Sequence, residues 1–242
     1  MKSIVKPYTD SEKGKKEQVA EMFDHIASKY DFLNHFLSFG IDKLWRRRAI
    51  RLIKPFNPVQ ILDVATGTGD LAIAALKTGA HKITGIDISE EMLAFGRLKL
   101  ERLGLNNQII LQKGDSEQLE FADASFDAVT VAFGVRNFEH LERGLSEIFR
   151  VLKPGGAFCV LEFSKPRLFP FKQLYNFYSS LILPFFGNLI SKDKSAYRYL
   201  PESVEEFPDG ENFISFMSKA GFQGTKEYRQ TFGVATIYLG VK

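Results

Sequence analysis

Cysteine is almost missing from this 242-residue chain: Cys159 stands alone. No internal disulfide can form, and a lone thiol suits a reducing compartment. Its setting, AFCVLEF, reads as a buried strand rather than the surroundings of a nucleophile. Long apolar runs are missing too, since none approaches the roughly 20 residues that cross a bilayer. MKSIVKPYTD lacks the apolar centre of a secretory leader, so a cytoplasmic location is expected. Charge of one sign is scarce: 32 Lys and Arg face 29 Asp and Glu, a formal +3. With no separate basic module, this argues against a nucleic-acid partner. His25, His35, His81 and His140 are scattered and there is no zinc spacing, so no metal is expected.

What is present is an ordinary globular composition, 45% apolar, with 23 phenylalanines. The length suits one α/β domain with additions better than two domains. Residues 1–17 are polar and lysine-rich and are expected to form a flexible N-terminal segment. Across 18–54 apolar residues recur three and four apart, which predicts helix, and FNP at 56–58 closes it. Strands are expected at 59–64, 82–88, 108–114, 126–133 and 157–163, with helices near 70–78, 89–104 and 140–152. Ser89 is placed as an N-cap, and Gly155–Gly156 as a helix stop. This alternation gives a parallel, doubly wound sheet. A helix near 210–220 and two strand-like runs, 223–231 and 233–241, suit an antiparallel hairpin on the sheet edge.

The loop after the first strand, ILDVATGTGDLA, satisfies G-x-G-x-x-G/A through Gly67, Gly69 and Ala72. A dinucleotide fits poorly. Asp63 lies four residues before Gly67 and would repel a pyrophosphate, as would Asp70 at the helix start. A ligand with an ammonium end suits Asp63 better. Asp87, followed by Ile88 at the end of the second strand, is placed to accept from two ribose hydroxyls. Asp115 and Ser116, after the third strand, suit an adenine's amine and ring nitrogen. Three acids at three neighbouring strand ends converge on the crevice of a doubly wound sheet and favour an adenosine with an amino-acid tail. Taken singly, Asp87 and Asp115 also read as caps of a helix and a turn.

Residues 129–138, VTVAFGVRNF, pose a different question: an apolar run ends abruptly on Arg136 and Asn137. A guanidinium there either covers a surface or points into a pocket. The stretch 164–208 interrupts the pattern after the fifth strand. Between 165 and 198 it carries Lys165, Arg167, Lys172, Lys192, Lys194 and Arg198 against one acid, Asp193, so six minus one gives +5. An insertion this long at the carboxyl end of a strand covers the site.

LDVATGTGD, GIDIS, GDSEQLEFADASFD and LKPGG, in this order, resemble the class I S-adenosylmethionine-dependent methyltransferases over about residues 59–163. ASKYDFLNHFLSFGIDKLWRR, FGVRN, LEFSKP and YRYLPESV narrow this: almost the whole chain beyond residue 18 resembles the UbiE/MenG methyltransferases. That family C-methylates polyprenylated quinols in menaquinone and ubiquinone synthesis. The resemblance implies a Rossmann-like doubly wound α/β sheet of seven strands, mostly parallel with an antiparallel last strand. Residues 18–242 would be one domain: a helical lid (18–54), an S-adenosylmethionine-binding core (59–163), a substrate- and membrane-facing insertion (164–208), and a C-terminal helix and hairpin (209–242). S-adenosyl-L-methionine is the implied cofactor, with Thr68, Asp87 and the Asp115–Ser116 pair on the family's cofactor positions. The family's common serine before FGxRN is Ala132 here, and the first loop glycine is Thr66.

The implied chemistry gives Arg136 a role. An oxidised quinone ring is electron-poor and does not attack a methyl sulfonium; a reduced ring attacks once a hydroxyl loses its proton. Arginine is too basic to take that proton, so its expected role is to stabilise the developing phenolate. Asn137 is expected to orient Arg136 or the substrate, or to cap a turn. Tyr30 and Asn34, one helical turn apart, are expected to border the pocket, with the Tyr30 phenol on the second quinol oxygen. Glu162 suits either a substrate contact or a salt bridge, and His140 a cap or surface site. Phe169, Phe171, Tyr175, Phe177, Tyr178, Leu181, Leu183, Phe185 and Phe186 are expected to line a groove for the prenyl tail or dip into an anionic membrane surface, giving peripheral association with its inner face. The same aromatics suit a homodimer contact or an extra helical layer. Another class I methyltransferase and a non-catalytic S-adenosylmethionine-binding scaffold stay open as alternatives.

Overall fold

The computed structural model describes residues 5–182 and 194–242. The chain begins with helices α1 (Lys15–Leu37) and α2 (Asp42–Ile53). Then come β1 (Gln60–Val64), α3 (Asp70–Ala75), β2 (Lys82–Asp87), α4 (Glu90–Leu103), β3 (Ile109–Lys113), β4 (Phe126–Ala132), α5 (Leu141–Val151) and β5 (Leu152–Phe163). The insertion holds α6 (Phe171–Phe177) and α7 (Lys194–Glu206); α8 (Glu211–Lys219), β6 (Gln223–Gln230) and β7 (Ala235–Val241) complete the chain. The seven strands form one sheet in the order β3-β2-β1-β4-β5-β7-β6, with β7 antiparallel to both neighbours and the other pairs parallel.

Side chains alternate across the sheet, so each strand feeds two cores. Ile61, Ile83 and Cys159 pack with α2, α3 and α4 on one face. Leu62, Val129 and Val160 pack with α5 and α8 on the other. Cys159 is fully buried, which pushes its thiol up to about 12 and keeps it inert. Ser89 caps α4 as expected, accepting from the Met92 N–H. The strand order reverses at β1, so β1 and β4 open a crevice at their carboxyl ends. Ala65 (φ 52°) and Phe133 (φ 57°), just past these two strands, are both left-handed, a cost of order 1 kcal/mol each that turns the chain sharply at the crevice. Gly134 permits the close approach there: a Cβ on it would stand 2.5 Å from the Ala65 Cβ.

Three expectations change. The helical stretch 18–54 is two helices, because Phe39 (φ 51°) and Gly40 (φ 72°) turn the chain between them. The fifth strand begins at Leu152, where Leu152 pairs with Phe126 before the Gly155–Gly156 irregularity. The segment expected to be flexible runs into α1 at its end: Lys15 is buried and donates to the carbonyls of Arg136 and Phe138, both at 3.0 Å. Burial, helped by the Arg136 charge, pushes the Lys15 amine down to about 8. Among the insertion's expected groove residues, Leu183, Phe185 and Phe186 lie outside the described residues.

Candidate active site

Three cavities open at the crevice. One, about 60 Å³, runs over the ends of β2 and β3 between Asp87, Ile88, Met92, Asp115, Ser116 and Phe138. A second, about 30 Å³, lies on the glycine loop between Asp63, Thr66, Gly67, Thr68, Asp70 and Arg46. The third, about 340 Å³, has mostly apolar walls from α1, α2, α6, α7 and the turn before β7. Tyr30 and Phe133 line all three.

The acids take three different positions. Asp63 is opposite Thr130 in the β1–β4 register, so their side chains share a face, and the Thr130 hydroxyl donates to it at 2.6 Å. The Thr66 hydroxyl donates to its other oxygen at 2.6 Å. Burial pushes the Asp63 carboxyl up to about 6. Asp63 therefore borders the small cavity but first pins the glycine loop to β4. Asp87 accepts the Gly67 N–H at 2.8 Å and the Ser89 N–H at 2.9 Å, and burial pushes it up to about 6. The carboxylate still has acceptor capacity for a ligand hydroxyl. Asp115 accepts from the Glu117 N–H at 2.9 Å and pairs with Lys16 at 2.7 Å, so the start of α1 closes over its cavity.

In the glycine loop Thr68 lines the small cavity and also has a structural role. The Thr68 hydroxyl donates to Asp31 and accepts from Lys99 at 3.0 Å, so it fastens the loop to α1 and α4. Gly67 and Gly69, with φ of 56° and 86°, turn the loop so that the Gly67 backbone faces the two smaller cavities.

The fourth strand's question is answered by the large cavity. Arg136, on the turn Val135–Asn137, lines it. Its Nη1 donates to Glu162 at 2.8 Å and also to the Phe133 carbonyl, while Glu162 accepts the Arg136 backbone N–H at 3.3 Å. The pair is buried, Glu162 completely. Of the two readings of Glu162, the structure favours the salt bridge. The Arg136 Nε is buried with no partner among the described residues. The guanidinium lies 5.5 Å over the Phe163 ring. Asn137 does not hold Arg136; it accepts the Tyr199 hydroxyl at 3.1 Å and lines the first cavity. The Tyr30 phenol bonds Asn34, and burial raises its pKa against the pull of Arg136. Burial likewise pushes Tyr175, another wall of the large cavity, up to about 12. His140 is exposed at the start of α5 and makes no side-chain cap bond.

One further cluster brings together His35, Asp42 and Asp70, with donor atoms within 4.8 Å of one another. Arg46 already serves it as the cation: its Nη1 bonds Asp42, and its Nη2 lies 3.7 Å from Asp70.

A family model described as the ubiE/COQ5 methyltransferase family matches residues 11–242. The chain belongs to this family. A demethylmenaquinone methyltransferase of Bacteroides fragilis is 50% identical over 239 residues, 98% of this chain and 97% of that protein. A ubiquinone/menaquinone biosynthesis C-methyltransferase UbiE of Geotalea daltonii is 50% identical over 234 residues, 96% of this chain and 98% of that protein. Among solved structures, a SAM-dependent methyltransferase of Thermotoga maritima shares the fold, with a TM-score of 0.63 at 20% identity over 92% of this chain and 99% of that one. Phosphoethanolamine N-methyltransferase 2 of Haemonchus contortus, solved with S-adenosyl-L-methionine, gives 0.58 at 18% identity over 81% of this chain and 52% of that chain. The chain is thus an S-adenosylmethionine-dependent methyltransferase with the class I fold.

The site fits that cofactor on its own terms. A buried carboxylate, Asp87, faces a cavity whose other walls, Ile88, Met92 and Phe138, are apolar and whose far end is polar at Asp115 and Ser116. That is the pattern a ribose and a purine need. Sequence reasoning passed over Phe133, Lys16 and Arg46. Phe133 read as one more strand residue. Lys16 read as part of a solvated tail. Arg46 stood in the quoted WRR motif, and its spacing from Asp42 was the one signal available.

Proposed function

We propose that the chain transfers a methyl group from S-adenosylmethionine to a ring carbon of a polyprenylated quinol, demethylmenaquinol first and the 2-methoxy-6-polyprenyl-benzoquinol as the other acceptor. One observation carries the reading: the cavity at Asp87 and a large apolar cavity lined by Arg136 share Tyr30 and Phe133 as walls. The names of the 50% identical relatives support the same acceptor class.

Bound, S-adenosylmethionine supplies an electrophilic methyl, so the chain's own residues work on the acceptor. Arg136 is held rigidly by Glu162 and the Phe133 carbonyl, and it presents positive charge to a cavity with apolar walls. In such surroundings it favours the quinol's ionised form and pushes charge onto the ring; removing one such donor costs about 3 kcal/mol. Tyr30, with its phenol pKa raised, stays protonated and donates to the second ring oxygen. Asn137 and Tyr199 brace the turn that carries Arg136. Asp87 and the Asp115–Ser116 pair hold the nucleoside, with Ile88 against its ring and the backbone of Gly67 beside its tail, Gly69 keeping the loop's turn.

The insertion and the α1–α2 turn serve the prenyl tail. Phe39, Leu174 and Phe232 line the large cavity and are also 82, 61 and 63% exposed, beside Leu168 and Phe169 at 69 and 81%. A cavity opening among exposed apolar side chains suits uptake of a lipid from a membrane surface. Among the described residues no helix is long and apolar enough to span. We take the association to be peripheral; the same rim would otherwise pair two copies. Flotation with anionic vesicles tests this: the protein rises with vesicles at low salt, whereas sedimentation as a dimer without vesicle binding would refute it. The acceptor is tested by radiolabelled transfer to demethylmenaquinol kept reduced with dithionite, with the oxidised quinone and the benzoquinol in parallel. Transfer to a reduced ring alone is expected. Label on the oxidised quinone, or on neither quinol, would refute the reading.

A further inference from the structure

We propose that Arg46 binds the carboxylate of the donor's amino-acid tail. The inference rests on the donor reading above and assigns a residue to its far end.

Arg46 projects from α2 and its side chain is 9% exposed. It lines the small cavity beside Thr68 and Asp70. That cavity shares Tyr30, Ala65, Gly67 and Phe133 with the nucleoside cavity, so whatever continues from a nucleoside held by Asp87 enters it next. The guanidinium is underused. Among the described residues only Nη1 makes a hydrogen bond, to Asp42. Nε is buried without a partner among the described residues, and Nη2 stands 3.7 Å from Asp70, beyond hydrogen-bond range. Nε and Nη2 form one edge of the guanidinium fork, the edge that takes a carboxylate with two parallel bonds. A buried N–H left without an acceptor is costly, and a ligand oxygen removes that cost.

The neighbouring acids do not compete for this edge. Asp70 has Lys99 at 2.9 Å, and the second oxygen of Asp42 accepts the Ser38 hydroxyl at 2.7 Å. Asp63 is bonded to two threonines. The ammonium of the same tail finds its counter-charge in Asp63 or Asp70 across the cavity. Arg46 also lines the large cavity, so the alternative is that it holds an acceptor oxygen instead.

Binding calorimetry with S-adenosylhomocysteine and its decarboxylated analogue separates the two. The wild-type protein should prefer the intact compound by roughly 10- to 100-fold. Arg46→Gln should lose about that factor for S-adenosylhomocysteine, keep its affinity for the decarboxylated analogue, and so lose the preference. Arg46→Lys should restore part of it. Equal wild-type affinity for the two compounds overturns the proposal without any variant. So does an Arg46→Gln variant that weakens both compounds alike, or that changes only the acceptor's KM. If neither compound binds the wild-type protein, the donor reading falls with it.

Discussion

Replacing Arg136 by Gln does two things at once, and the structure allows them to be separated. Glu162 is fully buried and its oxygens are arranged for Arg136. Without the guanidinium it becomes an uncompensated buried charge, and breaking such a pair costs about 3–5 kcal/mol of stability. The catalytic loss is a separate quantity: a missing charge at the developing phenolate lowers kcat by roughly 10²- to 10³-fold. The double variant Arg136→Gln/Glu162→Gln removes both charges, so most of the lost stability returns. Turnover does not return, because the guanidinium assigned to the phenolate is gone and Arg46, the other arginine on this cavity, is engaged with Asp42. Urea denaturation and labelled-methyl turnover, run on the single and double variants, give both numbers. Affinity for S-adenosylhomocysteine stays near wild type throughout, since Arg136 lines neither of the two smaller cavities. If the double variant regains turnover in step with stability, Arg136 is only a partner for Glu162 and the phenolate argument is wrong.

Two further outcomes follow from the same geometry. The Asp87 carboxylate must be ionised to accept two ribose hydroxyls, and its pKa is raised to about 6 by burial. Donor affinity measured by calorimetry should therefore be flat above that value and fall as pH drops below it, by up to about tenfold per pH unit for each proton taken up; a flat profile down to pH 5 would contradict the role. Tyr199→Phe strips the donor from the buried Asn137 carbonyl. Denaturation should show a loss of about 1–2 kcal/mol, with kcat reduced less than by Arg136→Gln; an equal kcat loss would make Tyr199 part of the reacting site.

The sheet and its crevice were legible because their signals are local. Short apolar runs between capped helical patterns name the strands, and Asp63, Asp87 and Asp115 fall at their ends in order. The less legible parts depend on partners distant in sequence. Lys15 and Lys16 read as a solvated tail because nothing nearby shows that carbonyls of Arg136 and Phe138, and the Asp115 carboxylate, wait for them. The break between α1 and α2 hid because Phe39 and Ile41 keep up the apolar spacing through the turn. Thr68 stands on the small cavity as its motif position suggests, but nothing near it in sequence shows that its hydroxyl bonds Asp31 and Lys99 from two other helices. Sequence alone does not choose between the two roles of Glu162; its 2.8 Å distance to Arg136 does.

The most direct test is the ionisation of a bound acceptor analogue. A 1-naphthol with the opposite ring oxygen methylated cannot give the quinone by simple loss of two hydrogens, and its phenolate has its own ultraviolet band. Titrated in complex with the protein and S-adenosylhomocysteine, its pKa should fall below the value in water, and it should rise back in the Arg136→Gln/Glu162→Gln variant. The same pKa in the wild type, the variant and water would contradict the claim that Arg136 drives the reaction by stabilising the quinolate.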